Sequence, residues 1–154
     1  MPNNVNDADL EAAGSWAKRY FLASREVVES VLRPYDLGNT QWYVLGVLVD
    51  RGPLKQRDLT RELEVERATL SAVISALVRK GYIEQHPDPE DQRQKILQVT
   101  PAGRTLLASV PDPIAIIAAV AFADVSDADI ATTNQVLKDA TQRLIDYKKG
   151  ATKS

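Results

Sequence analysis

From about Asp7 to Leu32, apolar residues recur at helical spacing: Leu10, Ala13, Trp16, Ala17, Tyr20, Val27, Val28 and Val31. The pattern predicts one long amphipathic helix. Pro34 lacks a backbone donor and ends it. Thr40 is placed to cap a shorter second helix over Gln41–Asp50, rich in Trp42, Val44, Leu45, Val47, Leu48 and Val49, and Arg51, Gly52 and Pro53 form a stop-and-turn signal. Two more helical patterns follow. The first covers about Lys55–Leu63, with Leu59 and Leu63 four apart. The second covers about Arg67–Lys80, with Leu70, Val73, Ile74, Leu77 and Val78 on one face and Gly81 suited to the C-terminal cap. Only Glu64, Val65 and Glu66 lie between them, and so tight a junction reads as helix-turn-helix.

The period then changes. Tyr82–His86 and Lys95–Val99 are strand-like, and the prolines and acids of Pro87–Gln94 suit a solvated hairpin tip. Helix-turn-helix followed at once by a hairpin is a winged helix. Thr100 as cap and Pro101 in the first turn start a helix over Ala102–Val110, which Pro111 and Pro113 interrupt. Ile114–Ala123 is apolar nearly all round, and Ser126 opens a last helix to about Lys149 in capping-box fashion. The predicted class is mainly α: a winged helix-turn-helix with a small β-hairpin wing, flanked by N- and C-terminal dimerisation helices. The expected divisions are 1–36 for the N-terminal helix, 37–105 for the winged helix, 106–149 for the C-terminal helices, and 150–154 as a disordered tail. The outer helices carry apolar stripes that need burial. A second copy that exchanges these helices would cover them; a monomeric bundle is the alternative.

Composition narrows the function. The chain has 154 residues, no cysteine and one histidine, His86. Disulfides, thiolate metal sites and multi-histidine centres are therefore excluded. The lone histidine lies in the predicted wing beside Pro87, a poor place for a general base, and neither a Gly-rich phosphate loop nor metal-ligand spacing occurs. No enzyme, cofactor or metal is expected. The polar N-terminus lacks a targeting pattern, and the Ile114–Ala123 run is about half of the roughly 20 residues a membrane span needs. The expectation is a cytoplasmic protein with no membrane partner. Formal net charge is −2, but residues 51–104 carry ten basic and eight acidic side chains, net +2, leaving −4 for the remainder.

Position says more than the sum. Opposite the apolar stripe, the second helix of the pair carries Arg67, Thr69, Ser71, Ala72, Ser75 and Arg79. Short side chains let a helix sit deep in the major groove, where Arg reads guanine edges and Ser or Thr bonds bases or phosphates. A small-residue face packed on another helix would look similar, but it would not be followed by a hairpin. The hairpin tip offers Arg93, Gln94 and Lys95 beside it, Arg being suited to a narrow minor groove, and Lys55 and Arg57 lie at the start of the first helix. Asp91, two residues from Arg93, is placed to hold its guanidinium. Asp88 and Glu90 would repel phosphate.

Residues 37–105 resemble the MarR family of winged-helix transcriptional regulators. The resemblance rests on Leu54–Leu63, Arg67–Ile83, the wing Asp88–Arg93 with its D-x-x-D-x-R pattern, and the strand-to-helix exit Leu97–Arg104. It implies an obligate homodimer with intertwined terminal helices on a palindromic DNA operator, most often repressing, with release by a small aromatic or anionic ligand. By position it implies contacts from Arg67, Thr69, Ser71 and Ser75, and a wing contact from Arg93 oriented by Asp91. The chain departs from the pattern in three places. Glu64 stands where the turn often has glycine, Glu66 replaces a Ser or Asp cap, and Pro111 and Pro113 break what is often one long helix. Trp16 and Tyr20 with Trp42 and Tyr43 would line an effector pocket, Arg19 or Arg25 meeting an anion; core or interface packing is the other use of such aromatics. The expected function is a homodimeric, sequence-specific regulator that binds double-stranded DNA, the alternative a winged-helix protein-interaction module without specific DNA binding.

Overall fold

A computed structural model describes residues 7–151. Its elements run α1 (Asp7–Leu32), a 3-10 turn (Arg33–Tyr35), α2 (Asn39–Arg51), β1 (Leu54–Lys55), α3 (Gln56–Leu63), α4 (Arg67–Arg79), β2 (Ile83–Pro87), β3 (Lys95–Val99), α5 (Pro101–Ser109), α6 (Pro113–Ala121) and α7 (Asp127–Ala151). The mainly helical winged-helix class is thus observed. The chain divides into two compact units, Met1–Ala115 and Ile116–Ser154, with the boundary inside α6.

Several sequence signals act as expected and several do not. Gly38, not Thr40, takes the N-cap position of α2: it is extended (φ −84°, ψ 160°), and its N–H donates to Gln41 Oε1 at 3.2 Å. Thr40 is inside the helix because the helical bonds begin two residues earlier, with Trp42 N–H on Gly38 O. Lys80 caps α4 and Gly81 follows in the left-handed region (φ 77°). Gly81 N–H bonds Val78 O and Tyr82 N–H bonds Leu77 O, the paired closure that needs a residue without a Cβ penalty. At α5, Thr100 Oγ1 accepts the Gly103 N–H at 3.1 Å and donates to Gly81 O at 2.7 Å. One hydroxyl therefore caps α5 and fastens it to the end of α4. Gly103 is required there, since a Cβ would lie 2.3 Å from Tyr82 O.

Lys55 is not helical. With Leu54 it forms β1, which pairs antiparallel with β3 at Leu54–Leu97 and Lys55–Ile96, so the wing is a three-stranded sheet in the order β1-β3-β2. β2 and β3 pair from Ile83–Val99 to Pro87–Lys95. The core joins Leu45 and Leu48 of α2, Leu59 of α3, Leu70, Ile74 and Leu77 of α4, and Leu97 of β3, all fully buried. Each such side chain stabilises the fold by about 2 kcal/mol relative to exposure. That core fixes α3 and α4 against the sheet and leaves the opposite face of α4 open.

Toward the C-terminus, the break at Pro111 separates two nine-residue helices, α5 and α6. By length and composition the 21 residues Pro101–Ala121 would suffice to cross a membrane, a longer stretch than the apolar run alone suggests. Ser126 starts α7, its Oγ accepting the Asp129 N–H at 3.1 Å. α7 extends through Gly150 and Ala151, so the part of the expected tail at 150–151 is helical; residues 152–154 lie outside the described residues.

Candidate nucleic-acid interface

Gln56, Arg57 and Thr60 of α3, Arg67 and Ser71 of α4, and Arg93, Gln94 and Lys95 of the wing line one open cleft of about 350 Å³. Its charged lining is entirely basic. Three separate elements converge here because the core side of each is buried while the polar side faces outward. Gln56 Nε2 donates to Ser71 Oγ at 3.0 Å, tying α3 to α4. Thr60 Oγ1 donates back to Gln56 O at 2.9 Å. Arg57 has Asp58 at 3.6 Å along its own helix, an exposed contact that a phosphate would outcompete readily.

Of the residues expected at a DNA surface, the cleft gathers Arg57, Arg67, Ser71, Arg93 and Lys95. Thr69, Ser75 and Arg79 lie exposed on α4 outside its lining, and the Ser75 hydroxyl bonds Ser71 O within the helix at 2.9 Å. Lys55 is placed differently from the expectation. Its ammonium meets the Asp88 carboxylate at 2.7 Å, and Asp88 is only 3% exposed. Lys55 beside it and the Glu90 N–H on its Oδ1 hold the Asp88 carboxyl below its ordinary value, while Asp88 raises the Lys55 ammonium. Asp88 therefore does not present its charge to solvent. Asp91 also acts otherwise than expected: its Oδ1 accepts the backbone N–H of Arg93 at 3.1 Å, so it shapes the turn that carries Arg93 instead of gripping the guanidinium.

Gln56 and Thr60 were not singled out from the sequence, whereas Gln94 was, as part of the hairpin tip. Gln56 and Thr60 are four apart, which was the available signal for a shared polar face. Trp42 and Tyr43 stack edge-on at 4.9 Å, and Arg19 lies over Trp16 at 5.1 Å, but Trp16 and Tyr20 are exposed. Of the three cavities described, one alone takes any of these residues, and that is Tyr43, with Glu62, Leu63, Glu64 and Val65.

A helix-turn-helix with an open second helix, a three-stranded wing and a basic cleft between them define a winged-helix domain. Residues 35–94 match the MarR family model. The chain is 33% identical over 71 residues to the HTH-type transcriptional repressor NicR of Pseudomonas putida, covering 46% of this chain and 45% of NicR. It spans about half the length of the curated relatives it matches. Among solved structures, a MarR variant from E. coli complexed with operator DNA superposes with TM-score 0.75 at 19% identity, over 86% of this chain and 95% of that one. The Bordetella bronchiseptica protein BpsR, whose DNA binding is regulated by 6-hydroxynicotinic acid, superposes with TM-score 0.74 at 22% identity, over 84% and 98%. Over residues 35–94 the chain is thus similar to the MarR family of winged-helix transcriptional regulators.

Proposed function

We propose that this protein is a homodimeric, sequence-specific DNA-binding transcriptional regulator of the cytoplasm that represses by occupying a palindromic operator. The observation that carries the reading is the convergence of Arg57, Arg67, Ser71, Arg93 and Lys95 on one basic cleft between α4 and the wing. In this reading the exposed face of α4 enters the major groove, where Arg67 and Ser71 meet base edges and phosphates. Arg93 reaches the adjacent minor groove. Two copies place their α4 helices in half-sites about 34–36 Å apart. Repression is supported by the likeness to NicR.

A small aromatic or anionic effector fits the same reading by analogy with BpsR. The aromatic set Trp16, Tyr20, Trp42 and Tyr43 would need the second copy to complete it. Within one chain, the cavity of about 370 Å³ lined by Glu29, Arg33, Asp36, Gln41 and Lys80 is the better place. It joins the end of α1 and the start of α2 to Lys80, the cap of α4, whose ammonium pairs with Asp36 at 3.1 Å, so an anion on Arg33 would compete with Asp36 for Lys80 at the end of the recognition helix.

A gel-shift titration against DNA upstream of the protein's own coding sequence tests the proposal. A retarded band below about micromolar protein is expected, with an affinity that falls steeply as salt rises. Arg93→Ala should lower the salt slope by about one phosphate equivalent or less. No band at any salt would overturn the regulator reading in favour of an interaction module.

A further inference from the structure

Among the described residues, Asp88 is the one charged side chain that is buried. Burying a carboxylate is unfavourable unless its partners are well placed, and here three bonds meet at one residue. Oδ2 faces Lys55 Nζ at 2.7 Å, Oδ1 accepts the Glu90 N–H at 3.0 Å, and the Asp88 N–H donates to Gln94 O at 3.0 Å. Gln94 N–H in turn donates to Asp91 O at 2.9 Å, and Asp91 Oδ1 accepts the Arg93 N–H at 3.1 Å. An unbroken series of contacts therefore runs from Lys55 on β1 to the backbone of Arg93 at the wing tip.

The topology gives this series its mechanical sense. β1 and β2 are the outer strands and β3 lies between them. Lys55 stands opposite Ile96 of β3, and Asp88 directly follows β2. The ion pair crosses the central strand and fastens one edge of the sheet to the root of the wing loop at the other. Arg93, Gln94 and Lys95 line the basic cleft, whereas Lys55 and Asp88 do not.

We propose that Lys55 and Asp88 are positioning residues for DNA binding, whose ion pair anchors the wing root so that Arg93 is held over the cleft. The inference rests on the reading of that cleft as the DNA surface. A wing ordered before binding loses less conformational freedom on the duplex, and buried ion pairs serve geometry better than they serve stability.

The charges give a test by sign. If Lys55 met a phosphate, Lys55→Met would weaken binding and Asp88→Asn, by removing a nearby negative charge, would tighten it. As positioning residues both variants weaken it, each by about 5- to 10-fold. In an Arg93→Ala background neither should weaken binding further by more than about 2-fold, because the residue they act through is gone. The measurement is a fluorescence-anisotropy titration of the duplex that the wild-type chain retards, with thermal melts confirming that each variant folds. Should Asp88→Asn not fold, the double variant Lys55→Met/Asp88→Asn leaves no unpaired charge and keeps the Oδ1 acceptor. It should lose the same 5- to 10-fold as a single variant. Wild-type affinity in Asp88→Asn or the double variant, tighter binding by either, or an undiminished effect in the Arg93→Ala background overturns the positioning role. If the wild-type chain itself retards no duplex, the reading of the cleft has failed instead.

Discussion

Two single residues near the helix-turn-helix carry opposite backbone demands. Glu64 caps α3 in the left-handed region (φ 51°, ψ 32°), where a side chain with a Cβ is strained by about 1 kcal/mol. Glycine would relieve the strain but adds freedom to the unfolded chain, which offsets part of the gain. Glu64→Gly should therefore stabilise by about 0.5 kcal/mol, read as a higher urea midpoint with unchanged slope; a lower midpoint would contradict the strain. Gly103 is the converse. A Cβ there meets Tyr82 O at 2.3 Å and Val99 Cγ2 at 2.8 Å, and both neighbours are held, Tyr82 O by the Thr100 N–H. Gly103→Ala should cost about 2–3 kcal/mol, a loss of a different order from an ordinary exposed helix substitution, and near-wild-type stability would contradict the close approach. Glu64 was legible through the resemblance to a family that often has glycine at that place in the turn. Gly103 was not, because its need arises from a strand-preceding residue that is 21 positions away.

At the scale of elements, legibility follows the range of the bonds that make each one. α1, α4 and the β2–β3 hairpin were readable since periodicity and turn residues are local. β1 was missed because two residues have no period; Leu54 and Lys55 are a strand only through their ladder to β3. The burial of Asp88 was missed for the same reason. An acid between prolines reads as solvated until Lys55, distant in sequence, is brought beside it. This clamp has a defined pH window. The Asp88 carboxyl is held below 3.8, by Lys55 and by the Glu90 N–H. Its contribution is present above 3.8 and is lost only as pH falls through the lower folded-state value. Lys55 is raised above 10.5, by Asp88. Its contribution is whole below 10.5 and disappears as pH rises through the still higher folded-state value. Geometry in the wing should thus be constant across the neutral range. The amide resonance of Glu90, which donates to Asp88 Oδ1, should report the acid limb by NMR. Its titration midpoint should lie below 3.8 and move toward 3.8 in Lys55→Met; a wild-type midpoint at or above that value would dissolve the clamp.

For the whole molecule, the unresolved demand is apolar surface. α1 exposes Trp16 at 64% and Phe21 at 61%, while α7 exposes Val136 at 61%, Leu144 at 70% and Tyr147 at 78%. These helices are 26 and 25 residues long, and α7 buries none of its described residues. A long helix draws its stability chiefly from packing one face, and contiguous exposed apolar surface marks an interaction site. The stripes were visible in the sequence, but burial within one chain and burial against another leave the same periodic pattern. In the proposed homodimer a second copy would cover the stripes. The charge distribution agrees: net −2 overall resolves into +2 over residues 51–104 and −4 elsewhere, so dimerisation through the outer helices would leave the basic clefts free. Light scattering at micromolar concentration should give twice the 17.0 kDa chain mass. The thermal midpoint should rise with protein concentration, as it does when folding and association are linked. Leu144→Glu, placing a charge in the α7 stripe, should lower both mass and midpoint, whereas the same change at exposed Gln142, which bonds Asp146 at 2.9 Å along the same helix, should alter neither by much. A wild-type monomer, or equal responses at the two positions, would mean that the stripes are not covered by this chain.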